Sequence, residues 1–544
     1  MTAGPTTADA VLDVLQAWGV DRVFICPGST EAAFLDATLR RPDLEVVLTT
    51  HESVTVAMAD GHARATGRPA VAYLHTHLGL VNGLSHLDAA RMARSPVIVL
   101  NGLKPASVQS HGGFTTLPGT GELARPFVKR QWQSLTAEGV PEDLTEALRL
   151  ATAEPTGPVW LGLAQDLMEA PATGPVPDPA RHLVAARVAP DPERVSAAAR
   201  LLTAAQRPVL VAGAEVARHG AHRDLVRLAE RTGAVVFNED RRSFERPAFP
   251  TGHPQYAGNY SAAHPAAAGA DLVMLLGCRS FIEFEPDPAP ATPPGAKVVH
   301  THVDAAEIGR VAAVDVAIVG DESLIVRGLL DRVPDGAGPG PEPATGVPRP
   351  WAPGDGDHAT AADVAGALAE VIGARTTVVE DATTSAGVLL RTLPQPSPMS
   401  ILTTASGSLG WGMGAALGVQ LAAPDREVIA VVGDGVFQFG PQALWVARRY
   451  DLPVLFVVIN NRSYAAVAAA LRRYGGLAER TRTYPGKDIA GVDIAAVARG
   501  FGLPARRVTR PADLPGALKE FLSRREPALI EVLTDPDDLG GAPR

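Results

Sequence analysis

Cysteine is almost absent. Cys26 and Cys278 are the only two in 544 residues, too few for a disulfide framework and without the C-x-x-C spacing of a zinc site. A reducing, cytoplasmic compartment is expected. Basic charge is also short: 49 Lys and Arg against 59 Asp and Glu leave a net charge of -10, and with it no basic face for a nucleic-acid backbone. No segment reaches about 18 uninterrupted apolar residues, so no membrane span is expected. The N-terminus MTAGPTTADAVLDVLQAWGV lacks a basic stretch followed by an apolar core, which argues against export. Nor does a G-x-G-x-x-G follow an early strand, which removes the fingerprint of a nicotinamide dehydrogenase. What is present is a large chain, 46% hydrophobic and 20% charged, long enough for roughly three domains.

Short apolar β-branched runs alternate with amphipathic helical stretches along the whole sequence. This is the pattern of parallel sheets covered on both faces. The first block opens with a helix at about 7–18 and continues through strands in VDRVFICPG, LEVVLTT, AVAYLHT, PVIVLNG and GPVWLGL. The Pro-rich segment 171–192 reads as a linker. A second block carries strands in RPVLVAGA, AVVFNED, DLVMLLG and KVVHTHVD, with DVAIVGD as a sixth-strand candidate. Residues 333–357, dense in Pro and Gly, form the clearest boundary. The third block has TTVVED, SILTTAS, EVIAVVGDG, PVLFVVINN and ALIEVLT, and matches the first in size and rhythm. The expected fold is α/β, with three doubly wound parallel-sheet domains at 1–170, 190–332 and 358–544.

In VVGDGVFQFGPQALWVARRYDLPVLFVVINNRSY, a Gly-Asp-Gly turn and an Asn-Asn pair end two buried-strand runs one helix apart. Ligands of doubly wound sheets bind beyond the carboxyl ends of the strands. Gly433 and Gly435 allow a tight turn and close approach of a ligand, while Asp434 and Asn461 offer one charged and one neutral oxygen. Those are magnesium ligands by type. The alternative is that Asp434 caps a helix at 440–450 and that Asn-Asn is a turn.

The GDG, helix, strand and NN arrangement, 27 residues from acid to amide, resembles the cofactor signature of thiamine diphosphate enzymes. The resemblance extends to CPGSTEAAFLDA, HESVTVAMADGHARATG, YLHTHLG, RSPVIVL, GPVWLGL and SGSLGWGMGAALGVQLA. It implies a pyrimidine-binding, a central and a diphosphate-binding domain, with thiamine diphosphate and Mg²⁺ as cofactors. By the same resemblance, Asp434, Asn461 and the main-chain carbonyl of Ser463 hold Mg²⁺. Glu52 hydrogen-bonds the aminopyrimidine and promotes its imino form, although alone it reads as a helix-start carboxylate. Leu409 is the wedge that bends the cofactor, and Gly407 offers it a carbonyl. Thr383 and Thr384 contact the cofactor or cap a helix, and Asn82 is a loop residue near it.

Within the 2-oxo acid decarboxylase and acetolactate synthase superfamily, Ser29 and His75 match the active-site serine and first active-site histidine of the benzoylformate decarboxylase group. That match implies loss of CO₂ from a 2-oxo acid, the remaining carbon being released as an aldehyde or joined to an aldehyde or keto acceptor. Phe284 stands where that group has its second histidine. Thr403 and Ala470 stand where it has aromatic walls. His77 and His111 are further candidates. The alternatives are an acetolactate-synthase-like carboligase, in some cases carrying FAD, and a noncatalytic paralogue that binds the cofactor. The family resemblance also implies a homodimer or homotetramer, because Glu52 and Asp434 meet across one cofactor from different subunits.

Overall fold

The computed structural model describes residues 4–184, 187–240, 243–279, 290–310, 312–336, 351–354 and 356–536. It contains three six-stranded sheets. The first comprises β1 (Arg22–Cys26), β2 (Glu45–Leu48), β3 (Ala70–His75), β4 (Val97–Leu103), β5 (Gln131–Gln133) and β6 (Val159–Ala164), in the order β2-β1-β3-β4-β6-β5. The second comprises β7 (Pro208–Ala212), β8 (Val235–Asn238), β9 (Tyr256–Asn259), β10 (Leu272–Leu276), β11 (Lys297–His302) and β12 (Val316–Val319), in the order β12-β11-β10-β7-β8-β9. The third comprises β13 (Thr376–Asp381), β14 (Ile401–Thr403), β15 (Glu427–Gly433), β16 (Val454–Asn460), β17 (Ala505–Val508) and β18 (Ala528–Leu533), in the order β14-β13-β15-β16-β18-β17. All neighbouring strands run parallel.

The order of the third sheet repeats that of the first strand for strand. β3 therefore corresponds to β15 and β4 to β16. The central strands β4, β6, β13 and β16 are buried along their whole length, as expected for runs covered by helices on both faces. The strands that the apolar pattern does not reveal are β5, β9 and β17. Each lies at a sheet edge and reads QWQ, YAGN or ARRV. An edge strand has one neighbour and a wetter face, so it needs no apolar run.

Helix Glu52–Thr66 of the first domain packs on helix Trp411–Ala422 of the third, through glycines. A Cβ on Gly61 would collide with the Ala415 carbonyl, and one on Gly418 with that of Met58. Asp60 fixes the crossing. It pairs with Arg64, two residues buried together (Nη2 to Oδ2 2.9 Å), and accepts the Trp411 indole N–H at 2.7 Å. Arg64 also donates to the Thr403 carbonyl at 2.8 Å and stacks 4.5 Å from the Trp411 ring centroid. A buried charge pair with its remaining hydrogen bonds satisfied, as here, favours one docking geometry.

Candidate active site

Four adjacent strands of the first sheet, β2-β1-β3-β4, carry polar residues at or just beyond their carboxyl ends, among them Glu52, Ser29, His75 and Lys104. Glu52 opens its helix, and its Oε2 accepts the Asn82 amide at 3.0 Å. Gly79 leaves room for that carboxylate, since a Cβ there would stand 3.1 Å from Glu52 Oε1. Ser29 begins a single 3₁₀ turn after Gly28. His75 is the last residue of β3, and the chain enters helix Thr76–Met92 immediately afterwards.

The His75 ring is held from behind. Its Nδ1 lies 3.0 Å from Glu31 Oε2 and 2.9 Å from Thr30 Oγ1. Glu31 is fully buried and also accepts the Gly28 N–H at 2.6 Å. Thr30 Oγ1 donates its own proton to Glu31 Oε1, so both neighbours of Nδ1 act as acceptors. Nδ1 therefore carries the hydrogen, and Nε2 faces away from the pair. Neither Thr30 nor Glu31 stands out in the sequence. The one local signal is the three-residue spacing from Gly28 to Glu31, which lets a carboxylate reach back to a turn amide.

His77 does not share a strand face with His75, because it lies on the following helix. Its Nδ1 is buried with no hydrogen-bond partner among the described residues. His111 is exposed, its Nδ1 2.8 Å from the Ser107 carbonyl of its own loop. Phe284 falls outside the described residues. Thr403 is buried, and its hydroxyl donates to the Phe244 carbonyl at 2.7 Å, so it forms part of a domain contact. Ala470 is exposed on helix Ala465–Tyr474.

The third domain holds the second half of the candidate set. A cavity of about 350 Å³ at the carboxyl ends of β13, β15 and β16 brings together Thr383, Thr384, Leu409, Gly433, Asp434, Gly435, Asn461 and Ser463. Gly407 is exposed and is not part of its lining, and neither are Glu52, Ser29, His75 or Asn82. Asp434 does not cap a helix at 440–450. It is the first residue of a short helix, Asp434–Phe439, separated by a turn from Ala443–Arg449. Gly440 and Pro441 separate the two helices.

Within the cavity, Asp434 Oδ1 accepts the Gly435 N–H at 2.8 Å, while its Oδ2 is buried with no partner among the described residues. Burial raises the Asp434 carboxyl above its ordinary range, against the pull of the N–H groups of Gly435, Arg462 and Ser463. Asn461 Oδ1 accepts the Ser463 N–H at 3.1 Å, and the Ser463 hydroxyl is likewise buried and unpartnered. A buried, half-satisfied carboxylate beside neutral oxygens suits a hard cation. Gly435 is required for space, since a Cβ would sit 2.5 Å from the Tyr464 ring. Leu409 is fixed through its carbonyl, 3.1 Å from His86 Nε2.

Three parallel α/β sheets, with an acid, an amide and glycines converging on one cavity, define a cofactor-dependent enzyme class, and comparison with known proteins identifies it. Residues 5–121 match the thiamine pyrophosphate enzyme N-terminal TPP binding domain, 195–329 its central domain and 381–532 its C-terminal TPP binding domain. The chain belongs to the thiamine pyrophosphate enzymes. It is 32% identical to the benzoylformate decarboxylase of Pseudomonas aeruginosa over 97% of this chain and 99% of that relative. It is 27% identical to the acetolactate synthase isozyme 1 large subunit of Escherichia coli, over 98% and 94%. Among solved structures, the thiamine diphosphate-dependent 4-hydroxybenzoylformate decarboxylase of Rhodococcus jostii RHA1 superposes with a TM-score of 0.89 at 29% identity, covering 98% of this chain and all of that one.

Proposed function

We propose that this protein is a Mg²⁺-dependent decarboxylase of a 2-oxo acid. The observation that carries the reading is the unpartnered Asp434 Oδ2 beside Asn461 and Ser463. Asp434, the Asn461 side chain and the Ser463 carbonyl would hold the cation. With so few protein ligands, a cation held there would complete its shell with water and phosphate oxygens. Thr383, Thr384, Gly433, Gly435 and Leu409, which line the cavity, would hold thiamine diphosphate there. Once bound, thiamine diphosphate supplies a nucleophilic carbon and a cationic ring that accepts the electron pair released as CO₂ departs.

Glu52, oriented by Asn82, holds a proton at the aminopyrimidine. Ser29 orients the substrate carboxylate. His75, with Nδ1 committed to Glu31 and Thr30, exchanges protons through Nε2. Release of an aldehyde and ligation to an acceptor carbonyl share all these residues. Cys26 is not a competing nucleophile, because burial and the neighbouring Glu52 push its thiol up to about 12. Both cysteines are free, and no helix among the described residues is long and apolar enough to cross a membrane.

The cavity in one chain is lined only by residues of the third domain, and Glu52 is not among them. Its mouth carries exposed Phe439 and Val467, and the first domain exposes Leu78 and Val81 beside Asn82. These surfaces support a homodimer, or a tetramer of two dimers, in which each site takes Glu52 from one subunit and Asp434 from the other.

An acetolactate-synthase-like carboligase with FAD is the second reading. One observation weighs against the flavin. At the switch point of the central sheet, between β7 and β10, the Glu239 carboxylate accepts the N–H groups of Ala214 (3.1 Å) and Arg279 (2.8 Å). Those amides are the donors a dinucleotide phosphate would use. The test is chelation followed by gel filtration, then assay of CO₂ release and products by mass spectrometry with a panel of 2-oxo acids, with and without aldehyde acceptors. Activity should vanish and return only when thiamine diphosphate and Mg²⁺ are both supplied. Full activity of the stripped, colourless protein would refute the reading.

A further inference from the structure

We propose that Lys104 recognises a second negative charge on the substrate, so that the 2-oxo acid is one whose tail ends in a carboxylate, phosphonate or sulfonate. This rests on the reading above that the cleft takes a 2-oxo acid.

Lys104 immediately follows β4, and its ammonium donates to Ser29 Oγ at 3.3 Å. In the strand order β2-β1-β3-β4 it stands at the end opposite Glu52, with His75 between. A substrate lying along the strand ends with its reacting carbon toward Glu52 therefore extends its tail toward Lys104. The backbone at this point is pinned: the Lys104 carbonyl accepts the Gln109 amide at 2.5 Å, and Asp166 Oδ2 accepts the Ala106 N–H at 3.2 Å. No described carboxylate lies within ion-pair distance of the ammonium, whose partner is the neutral Ser29 hydroxyl. An ammonium has three donors, so two remain for a ligand.

The leaving carboxylate is a poor match for this cation. That group loses its charge as CO₂ forms, so an ion pair to it would stabilise the ground state more than the transition state and slow the reaction. A charge on the tail persists throughout, and binding it anchors the substrate without that cost. The neutral Ser29 hydroxyl is suited to the reacting carboxylate, and the Lys104 ammonium, on a flexible four-carbon stem, can swing from Ser29 to a charge on the tail.

The test uses the holoenzyme loaded with thiamine diphosphate and Mg²⁺. CO₂ release is measured for 2-oxobutyrate, 2-oxoglutarate, phosphonopyruvate and sulfopyruvate, with wild type, Lys104→Gln and Lys104→Glu. In parallel, glutarate and butyrate are titrated calorimetrically as unreactive probes. The expected result is a wild-type preference for one of the charged-tail acids. Lys104→Gln should cut that preference by roughly tenfold to a hundredfold, mainly through KM, as for one charge-assisted hydrogen bond. Glutarate should bind wild type more tightly than butyrate, and lose that advantage in both variants. An equal loss for neutral and charged tails, or equal binding of the two probes, would overturn the proposal while leaving the decarboxylase intact. If no 2-oxo acid releases CO₂ yet the Lys104-dependent preference for glutarate persists, the anion site stands and the decarboxylase reading fails.

Discussion

Nδ1 of His75 lies 3.0 Å from Oε2 of Glu31, a carboxylate with no solvent exposure. With Thr30 also accepting, the imidazole is fixed in one tautomer and one orientation. Glu31→Gln would place an amide against Nδ1 and remove the charge that holds the ring. We expect turnover to fall by roughly tenfold to a hundredfold, as when a group behind a ligating or catalytic histidine is removed. ¹⁵N NMR of the His75 ring should show the Nδ1–H tautomer lose its dominance. An unchanged tautomer together with reduced turnover would assign Glu31 a different role.

Asp434 links function to stability with opposite signs. Its folded-state pKa is raised above the unfolded value by burial, so ionising it in the apoprotein opposes folding, increasingly as pH rises from the ordinary aspartate range to beyond the raised value. Asp434→Asn should therefore melt at a higher temperature than wild type in the apo form at neutral pH. The gap should close at acid pH, and activity should be lost. Calorimetry across pH, with and without Mg²⁺, checks both signs.

Glu52 and His75 are assigned to different steps. Glu52→Gln should slow deuterium exchange at the thiazolium carbon of the bound cofactor. His75→Ala should leave exchange nearly intact while lowering turnover by roughly a hundredfold or more, as for a lost general acid-base group. Ser29→Ala should act mainly on substrate binding or decarboxylation. Quenched-flow NMR beside steady-state assay separates the three, and equal damage to exchange from Glu52→Gln and His75→Ala would contradict the division.

If each site draws Glu52 and Asp434 from different subunits, two dead variants should rescue each other. A dimer formed from one Glu52→Gln chain and one Asp434→Asn chain contains one site with both residues intact. Mixing the two after reversible dissociation should restore up to about half of the wild-type activity per hybrid dimer. No recovery in verified hybrids would mean that both residues serve the site of the same chain.

The crossing of helices Glu52–Thr66 and Trp411–Ala422 has no room for side chains at its glycines. Gly418→Ala drives a methyl group into the Met58 carbonyl, and backbone on both sides must give. Overpacking of this kind should cost about 2–3 kcal/mol, read as a lowered denaturation midpoint. Gly516→Ala, where a Cβ meets nothing within 4 Å, is the control.

Much of this protein is legible in the sequence. Buried parallel strands such as β6 and β16 are built on mainly apolar runs, and such runs announce the α/β class and three sheets. Gly433, Asp434, Gly435 and Asn461 are close in sequence to strand ends, so their convergence follows from the rule that such ends face one crevice. Edge strands carry no such requirement, and β5, β9 and β17 leave no apolar trace. The broken helix after Asp434 depends on Gly440 and Pro441 within an otherwise helical pattern.

What only the tertiary structure decided is which distant residues meet. Glu31 and Thr30 stand more than forty positions before His75, and Lys104 stands 75 after Ser29; nothing local marks either pairing. They meet because β1, β3 and β4 are neighbours in the sheet, and strand order is a long-range property set by how whole crossovers pack. The sequence determined the chemistry available at each strand end, since a residue type and its place after an apolar run are local facts. The sheet determined which of those groups stand side by side and which way His75 faces.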